Sequence, residues 1–506
     1  MIARAQSATL VGVDGRCVTV EVHVGSGIPG FTIVGLPDTA CREARDRVRA
    51  AMLSSGLPWP QRRVTVNLAP TSVRKTGAGL DLPIAVGVLI AADEVDQAAA
   101  DGCAFVGELG LDGSLRSVPG ILSLVDAMVA RTVIVPAACA AEASFVEKHR
   151  VLCARSLSEL VEAMCGRGDW AVPIYPVDDL VDQLDLADMA DVDGQHLGRR
   201  ALEVAAAGGH HLLLSGPPGA GKTMLASRLP GLLPALGPEE ALEVSRVHSA
   251  AGLSLPSGSL IRRPPYRAPH HSASMTSLIG GGSSAMRPGE ISLATRGVLF
   301  LDELGEFPAN VLEALRQPLE EGVVRVARAR ATVTFPAHFQ LVGAMNPCPC
   351  GEGGPEGLCR CGDASRERYA RRLSGPLLDR FDLRIFVSRP TAAELFSRER
   401  SEGTGAVAVR VARARGVARE RGVRCNAELP SCSLDDFVPI DRSIRRILER
   451  RLNAGTLSAR GLDRLRRVAL TIADLDEDGG DVRPEHVTTA LELRVGRDAL
   501  TGRRVA

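Results

Sequence analysis

The 506-residue sequence predicts a multidomain α/β protein, and three observations predict it. A chain this long exceeds what one hydrophobic core organises, so two to four domains are expected. Up to about residue 395, β-rich runs alternate with helical stretches, the pattern of α/β layers. From about residue 396 the strand-like runs stop and the pattern turns helical.

Taken in order, residues 1–166 carry CVTVEVHV, FTIVGL, RRVTVNLA and TVIVPA between DTACREARDRVRAAMLSSG and DLPIAVGVLIAADEV, which gives a first α/β domain. The acidic, proline-bearing stretch AVPIYPVDDLVDQLDLAD that follows reads as a linker, bounded at 167–188. Across 189–395 the apolar runs HLLLSG, GVLFLDE and FQLVGAMN alternate with helices and predict a parallel-sheet core. Residues 396–506, with VAVRVARARGVARERG, DRSIRRILERRLNAG and SARGLDRLRRVALTIADLDE, predict a helical lid.

Composition excludes several classes. With 45% hydrophobic and 24% charged residues the chain reads as globular. Its longest apolar run, LPIAVGVLIAA, is too short to span a bilayer, and no basic-then-apolar leader opens it, so a cytoplasmic location without membrane contact is expected. Thiols stay reduced there, and the twelve cysteines read as buried hydrophobes or metal ligands. Zero net charge excludes a polycation, and 3% aromatics exclude a protein that grips single strands mainly by stacking bases. Only Lys75, Lys148 and Lys222 are lysines; every other basic residue is arginine. A lysine therefore marks a position where a compact point charge is wanted rather than a planar fork.

One of the three sits in GPPGAGKT, which follows the apolar HHLLL and opens the helix-like MLASRLPGLL. This is a phosphate-binding loop in its strand–loop–helix context. Gly216, Pro217, Pro218, Gly219, Ala220 and Gly221 let backbone N–H groups close on phosphate oxygens, and Met224 lies in the helix's first turn. Lys222 is placed for the β- and γ-phosphates of ATP, and Thr223 for Mg²⁺. Downstream, GVLFLDELGEF is an apolar strand ending in two acids: Asp302 to complete the Mg²⁺ shell, Glu303 to polarise the attacking water. QLVGAMN ends likewise at Asn346, within reach of that water or the γ-phosphate.

GPPGAGKT, VLFLDE, Asn346 and LSGPLLDRFD together resemble an AAA+ ATPase of the magnesium-chelatase-like clade. More closely the chain resembles the YifB/ComM family, through GIPGFTIVGLPD, RAPHHSASMTSLIGGG, RPGEISLATRGVLFLDELGEF, NPCPCG and LSARG. The resemblance implies a homo-oligomeric ring, a hexamer, with ATP between subunits. It implies that Arg380 is the finger reaching a neighbour's γ-phosphate and that Arg460 is the sensor of the lid, with Arg464 and Arg466 on the same helix as alternatives. It implies too that Val192, in DVDGQ, flanks the adenine pocket.

VRKTGAGLDLP and FVGELGLDGSLRSVPGI resemble the proteolytic domain of Lon-type proteases, a ribosomal S5 domain 2-like fold. By that resemblance the nucleophile falls at Gly79 and its lysine near Leu122, so the domain is expected to be catalytically dead and a protease is disfavoured. Lys75 is left to contact phosphate or to pair with Asp81. For the motor's substrate, Arg262, Arg263, Tyr266, Arg267, His270 and His271, with Arg325, Arg328 and Arg330, form either a basic track for a nucleic-acid backbone or a set of solvated and paired charges. The family resemblance favours DNA, single-stranded or branched, and helicase activity in branch migration; the alternative is a chelatase-type or chaperone-type motor that remodels a protein.

In CPCGEGGPEGLCRC, Cys348, Cys350, Cys359 and Cys361 lie close enough along a glycine-rich loop to fold round one tetrahedral ion. Structural Zn²⁺ is one reading, a redox-labile pair the other. The arginines that follow, Arg366, Arg368, Arg371 and Arg372, are expected to touch DNA.

Overall fold

In the first hairpin, Ile2–Val11 and Asp14–Gly25, the side chains alternate between faces, with Ala3, Ala5, Val18, Val20 and Val22 buried. This hairpin seeds a seven-stranded mixed sheet of order Gly30–Val34, Arg63–Ala69, Asp14–Gly25, Ile2–Val11, Cys103–Phe105, Thr132–Pro136 and Arg150–Ala154. Helix Asp81–Ala91, apolar on all sides, is buried along its whole length on one face beside helix Thr39–Ser54. Helix Ile121–Ala127 covers the other face. The computed structural model describes residues 2–173, 187–256, 259–282, 286–328, 331–353, 359–396, 401–476, 481–496 and 500. Most of the segment read as a linker, and Arg330, lie outside the described residues.

The second sheet has five strands, all parallel, in the order Tyr266–Arg267, Val298–Leu301, Gln340–Met345, Leu212–Ser215 and Leu383–Phe386. Its three inner strands are buried at every residue, as strands covered on both faces must be. On one face, helices His196–Gly208, Thr404–Glu420 and Ala459–Leu475 share a core with Leu212, Leu214, Phe300 and Val342. On the other, Leu213, Leu299, Leu341 and Phe381 pack with the hairpin Val323–Arg328/Ala331–Pro336.

The carboxy-terminal helices therefore sit on the sheet itself and return to its edge. Arg384 N donates to the Leu493 carbonyl at 2.8 Å, Val495 N to that of Arg384 at 2.9 Å, and Arg494 Nη1 to those of Phe381 and Asp382 at 2.5 and 2.7 Å. Arg494 satisfies carbonyls that the short edge strand leaves open. The two sheets meet where Gly120 N donates to Ser249 O at 2.9 Å and Arg246 pairs with Asp126. No helix among the described residues is long and apolar enough to cross a membrane.

Candidate nucleotide site and cysteine cluster

The carboxyl ends of parallel strands are where such sheets bind ligands, and three strand ends converge here. Ser215 leads into the loop 216–221 and helix Lys222–Leu232, Leu301 into Asp302, and Met345 into Asn346. Gly219 and Gly221 take φ of +77° and +88°, the left-handed turn that folds the loop back onto the helix N-terminus. Lys222 Nζ donates to the carbonyls of Gly216 at 2.7 Å and Pro217 at 3.0 Å and to Asn346 Oδ1 at 3.2 Å. Thr223 Oγ1 donates to Asp302 Oδ2 at 2.7 Å. Pro218 through Met224, Asp302, Glu303 and Asn346 line one cleft of about 460 Å³. Burial pushes the Lys222 ammonium below the usual lysine range, against the pull of Asp302 and Glu303.

The donor set fits a hard divalent cation: a hydroxyl and a carboxylate converge at the helix N-terminus, with room for phosphate oxygens to supply the other ligands. Glu303 is held at φ +51°, a strained conformation for a non-glycine residue. Its carboxylate meets His271 Nδ1 at 3.0 Å, and His271 stacks on His270 at 4.0 Å. Sequence reading placed His271 in a basic crowd; only the fold shows it facing the acid.

Residues 188–195 lie against the loop, with Gln195 Nε2 donating to Ala220 O at 3.1 Å and to Ser388 O at 2.7 Å. Val192 itself is fully buried in the core behind this segment, so its side chain is not in the cleft. Arg389, which sequence reading missed, reaches the Pro218 carbonyl at 3.2 Å and Glu352 at 2.7 Å.

Arg380 and Arg460 are not brought to this cleft. Arg380 precedes the strand whose first residue pairs with Leu212, so it lies at the opposite edge of the sheet from Lys222. It is buried and ion-paired with Glu320, and burial plus the nearby Arg464, Arg460 and Arg316 lowers its pKa. Arg464 reaches Asp382 Oδ1 and the Arg380 carbonyl at 2.5 and 2.7 Å, and Arg466 is bound to Asp435 and the Val438 carbonyl.

Several of the expected basic contacts are taken by partners within the chain. Arg267 forms a two-pronged pair with Glu290 at 2.6 and 2.8 Å, and Tyr266 stacks on Phe300. Arg366, Arg371 and Arg372 pair with Asp363, Glu367 and Glu306. Lys75 is fully buried and donates to the Pro70 carbonyl, while Asp81 is taken by Arg47 at 2.7 and 3.0 Å. Neither role expected of Lys75 therefore survives: its ammonium, lowered in pKa by burial, is a core hydrogen-bond donor. Gly79 and Leu122 are both buried among apolar side chains such as Val118 and Ile121.

Cys348, Cys350, Cys359 and Cys361 place their Sγ atoms within 4.8 Å of one another. Three of the separations are 3.3, 3.5 and 3.8 Å, against S–S edges of about 3.8 Å for thiolates about 2.3 Å from a tetrahedral zinc. Backbone N–H groups of Gly353 and Cys361 donate to Cys348 Sγ and Cys359 Sγ at 3.1 and 3.4 Å.

A parallel sheet with a phosphate loop at one strand end, Asn346 at the neighbouring strand and acids at the strand beyond fits a nucleotide-binding AAA+ class of protein, and comparison with known proteins narrows it. Three family models match: "Magnesium chelatase, subunit ChlI" over 188–395, "Subunit ChlI of Mg-chelatase" over 20–138, and "Magnesium chelatase, subunit ChlI C-terminal" over 401–494. An uncharacterized protein of Mycobacterium tuberculosis is 45% identical over 502 residues, covering 97% of this chain and 98% of its own. YifB of Escherichia coli is 43% identical (96% and 95%), and the competence protein ComM of Haemophilus influenzae 42% identical (97% of each). The chain belongs to the YifB/ComM family of magnesium-chelatase-like AAA+ proteins, a membership that implies an ATPase using ATP and Mg²⁺.

Proposed function

We propose that this chain is the subunit of a ring-shaped ATPase that moves along DNA, with helicase activity of the kind that drives branch migration. The observation that carries the reading is the convergence of Lys222, Thr223, Asp302, Glu303 and Asn346 on one cleft. Lys222 and the loop amides hold the β- and γ-phosphates, Asn346 fixes the lysine, and Glu303 accepts a proton from the attacking water. Thr223 and Asp302 hold Mg²⁺, which neutralises developing phosphate charge when bound.

Arg380 and Arg460, at the far edge of the sheet, serve a neighbouring subunit's cleft, which makes turnover depend on assembly. Residues 1–166 act as a Lon-like scaffold without its dyad, 189–395 as the motor and 396–506 as its helical partner. Support for DNA as the substrate comes from the competence protein among the relatives; Arg325 on the hairpin Val323–Arg328/Ala331–Pro336 is exposed and is shared with Glu321 at 2.7 Å. The four-cysteine cluster takes Zn²⁺ as a structural clip joining the Asn346 strand to the helix Asp363–Arg372.

A second reading, a motor that remodels a protein, is favoured by the chelatase-subunit models. The two part company in one assay: ATP turnover with single-stranded, forked and four-way junction DNA, for the wild type and Glu303→Gln. DNA stimulation that Glu303→Gln abolishes supports the translocase; turnover indifferent to every DNA, with no DNA bound at moderate salt, leaves the protein-remodelling motor.

A further inference from the structure

The amino-terminal sheet carries a second cleft, of about 660 Å³, remote in sequence from the ATP site. Three arginines from three separate segments line it: Arg16 on strand Asp14–Gly25, Arg42 in the first turn of helix Thr39–Ser54, and Arg74 on the loop before Asp81. In this arginine-rich chain several cations near a site are already spent on carboxylates, yet among the described residues no ion pair or side-chain hydrogen bond engages any of these three. The one acid in the lining, Asp38, is occupied: its Oδ1 accepts from Cys41 N at 2.8 Å and its Oδ2 from Gly77 N at 3.0 Å. Asp38 keeps its negative charge, but three guanidinium groups against one carboxylate leave the lining with a positive surplus. Between them lie Leu36, Val73 and Val11, with Leu36 58% exposed.

This cleft adjoins the motor. The turn that carries Val11 is pressed onto the hairpin Val323–Arg328/Ala331–Pro336: a Cβ on Gly12 would fall 2.1 Å from Val333 Cγ1, and Val11 and Val13 pack into the core around Val324 and Phe335. The cleft thus opens beside the base of the hairpin to which the DNA reading gives the strand.

We infer that the cleft of Arg16, Arg42 and Arg74 binds the phosphodiester backbone of a nucleic-acid strand. The inference rests on the DNA reading above and adds a place where the strand is held outside the ATPase layer. Separate guanidinium groups spread over a cleft this size match successive phosphates better than one small anion, and each fork can bind a phosphate through two N–H groups. The apolar floor faces sugars and bases without reading them, so binding is insensitive to sequence.

The test is anisotropy of a labelled oligothymidylate against salt, with the wild type, Arg16→Ala/Arg42→Ala/Arg74→Ala and the triple Arg→Lys variant. Neutralising three contacts flattens the slope of log K against log salt by about 2, and weakens binding about tenfold or more at low salt. The lysine variant keeps the slope, because the charges remain, and melting midpoints show that all three proteins fold. Equal affinity and slope in the alanine variant overturn the inference while leaving the DNA reading standing. A wild type that binds no oligonucleotide at about 50 mM salt overturns both. Loss of inorganic pyrophosphate binding in the alanine variant, with DNA affinity unchanged, assigns the cleft to a small phosphate ligand and overturns it too.

Discussion

Lys222 and Glu303 separate binding from chemistry at the level of single side chains. Lys222 is buried and held by two carbonyls and Asn346, so its ammonium is aimed before any phosphate arrives. Lys222→Ala is expected to lower turnover about 10²–10³-fold with weakened ATP binding. Glu303→Gln lowers kcat by about 10²–10⁴-fold with ATP affinity retained, because only proton transfer is lost; equilibrium nucleotide binding beside steady-state turnover checks both. His211 sets a pH dependence of stability. Burial pushes its pKa down to about 4, Asp382 pulling upward while Arg464, His210 and Arg380 push further down. Its Nδ1 accepts from Leu341 N at 3.0 Å, which requires the neutral ring. The unfolded chain takes up this proton near pH 6.5 and the folded one only near pH 4, so stability is full above about pH 6.5 and falls on acidification. This residue contributes a loss of about 2 kcal/mol between pH 7 and 5, which denaturant melts show as a loss that shrinks in His211→Gln.

Among elements, the cysteine loop makes the sharpest claim. Four thiols within 4.8 Å of one another, two of them accepting backbone N–H, are compatible with a tetrahedral ion. Metal analysis of purified protein is expected to give one zinc per chain, and none in Cys348→Ser/Cys359→Ser; a metal-free wild type, or unchanged zinc in the variant, contradicts the clip. The elements also show what was legible. GPPGAGKT, VLFLDE and Asn346 could be read because each sits at the end of an apolar strand, and the strand ends meet. The cysteines could be read from spacing. Lys75 could not, since nothing local reveals that Arg47, from another helix, takes Asp81 and leaves the lysine a backbone carbonyl. Three of the four arginines of Asp363–Arg372 look free in sequence but are paired, Arg366 and Arg371 with acids within one helical turn and Arg372 with Glu306, which the chain places far away, while among the described residues Arg368 meets only the Ala364 carbonyl. The helical lid was legible as helices, but its return to the strand Leu383–Phe386 depends on tertiary hydrogen bonds that no periodicity encodes.

For the whole molecule, the separation of Lys222 from Arg380 across the sheet is what the proposed ring turns on. An equimolar mixture of Arg380→Ala and Lys222→Ala subunits, each inactive alone, is expected to recover part of wild-type turnover at interfaces that combine an intact loop with an intact finger. A finger supplies about 10³–10⁵ in rate where it operates, so the recovery stands well above background. No recovery, with mixed assemblies demonstrated, would place Arg380 in the fold alone. The proposed action on DNA is measured most directly by the ATPase rate of wild type and Glu303→Gln with and without forked DNA at moderate salt. Forked DNA is expected to stimulate the wild type several-fold and the variant not at all; a wild-type rate unchanged by DNA, together with no detectable DNA binding, would contradict a DNA motor.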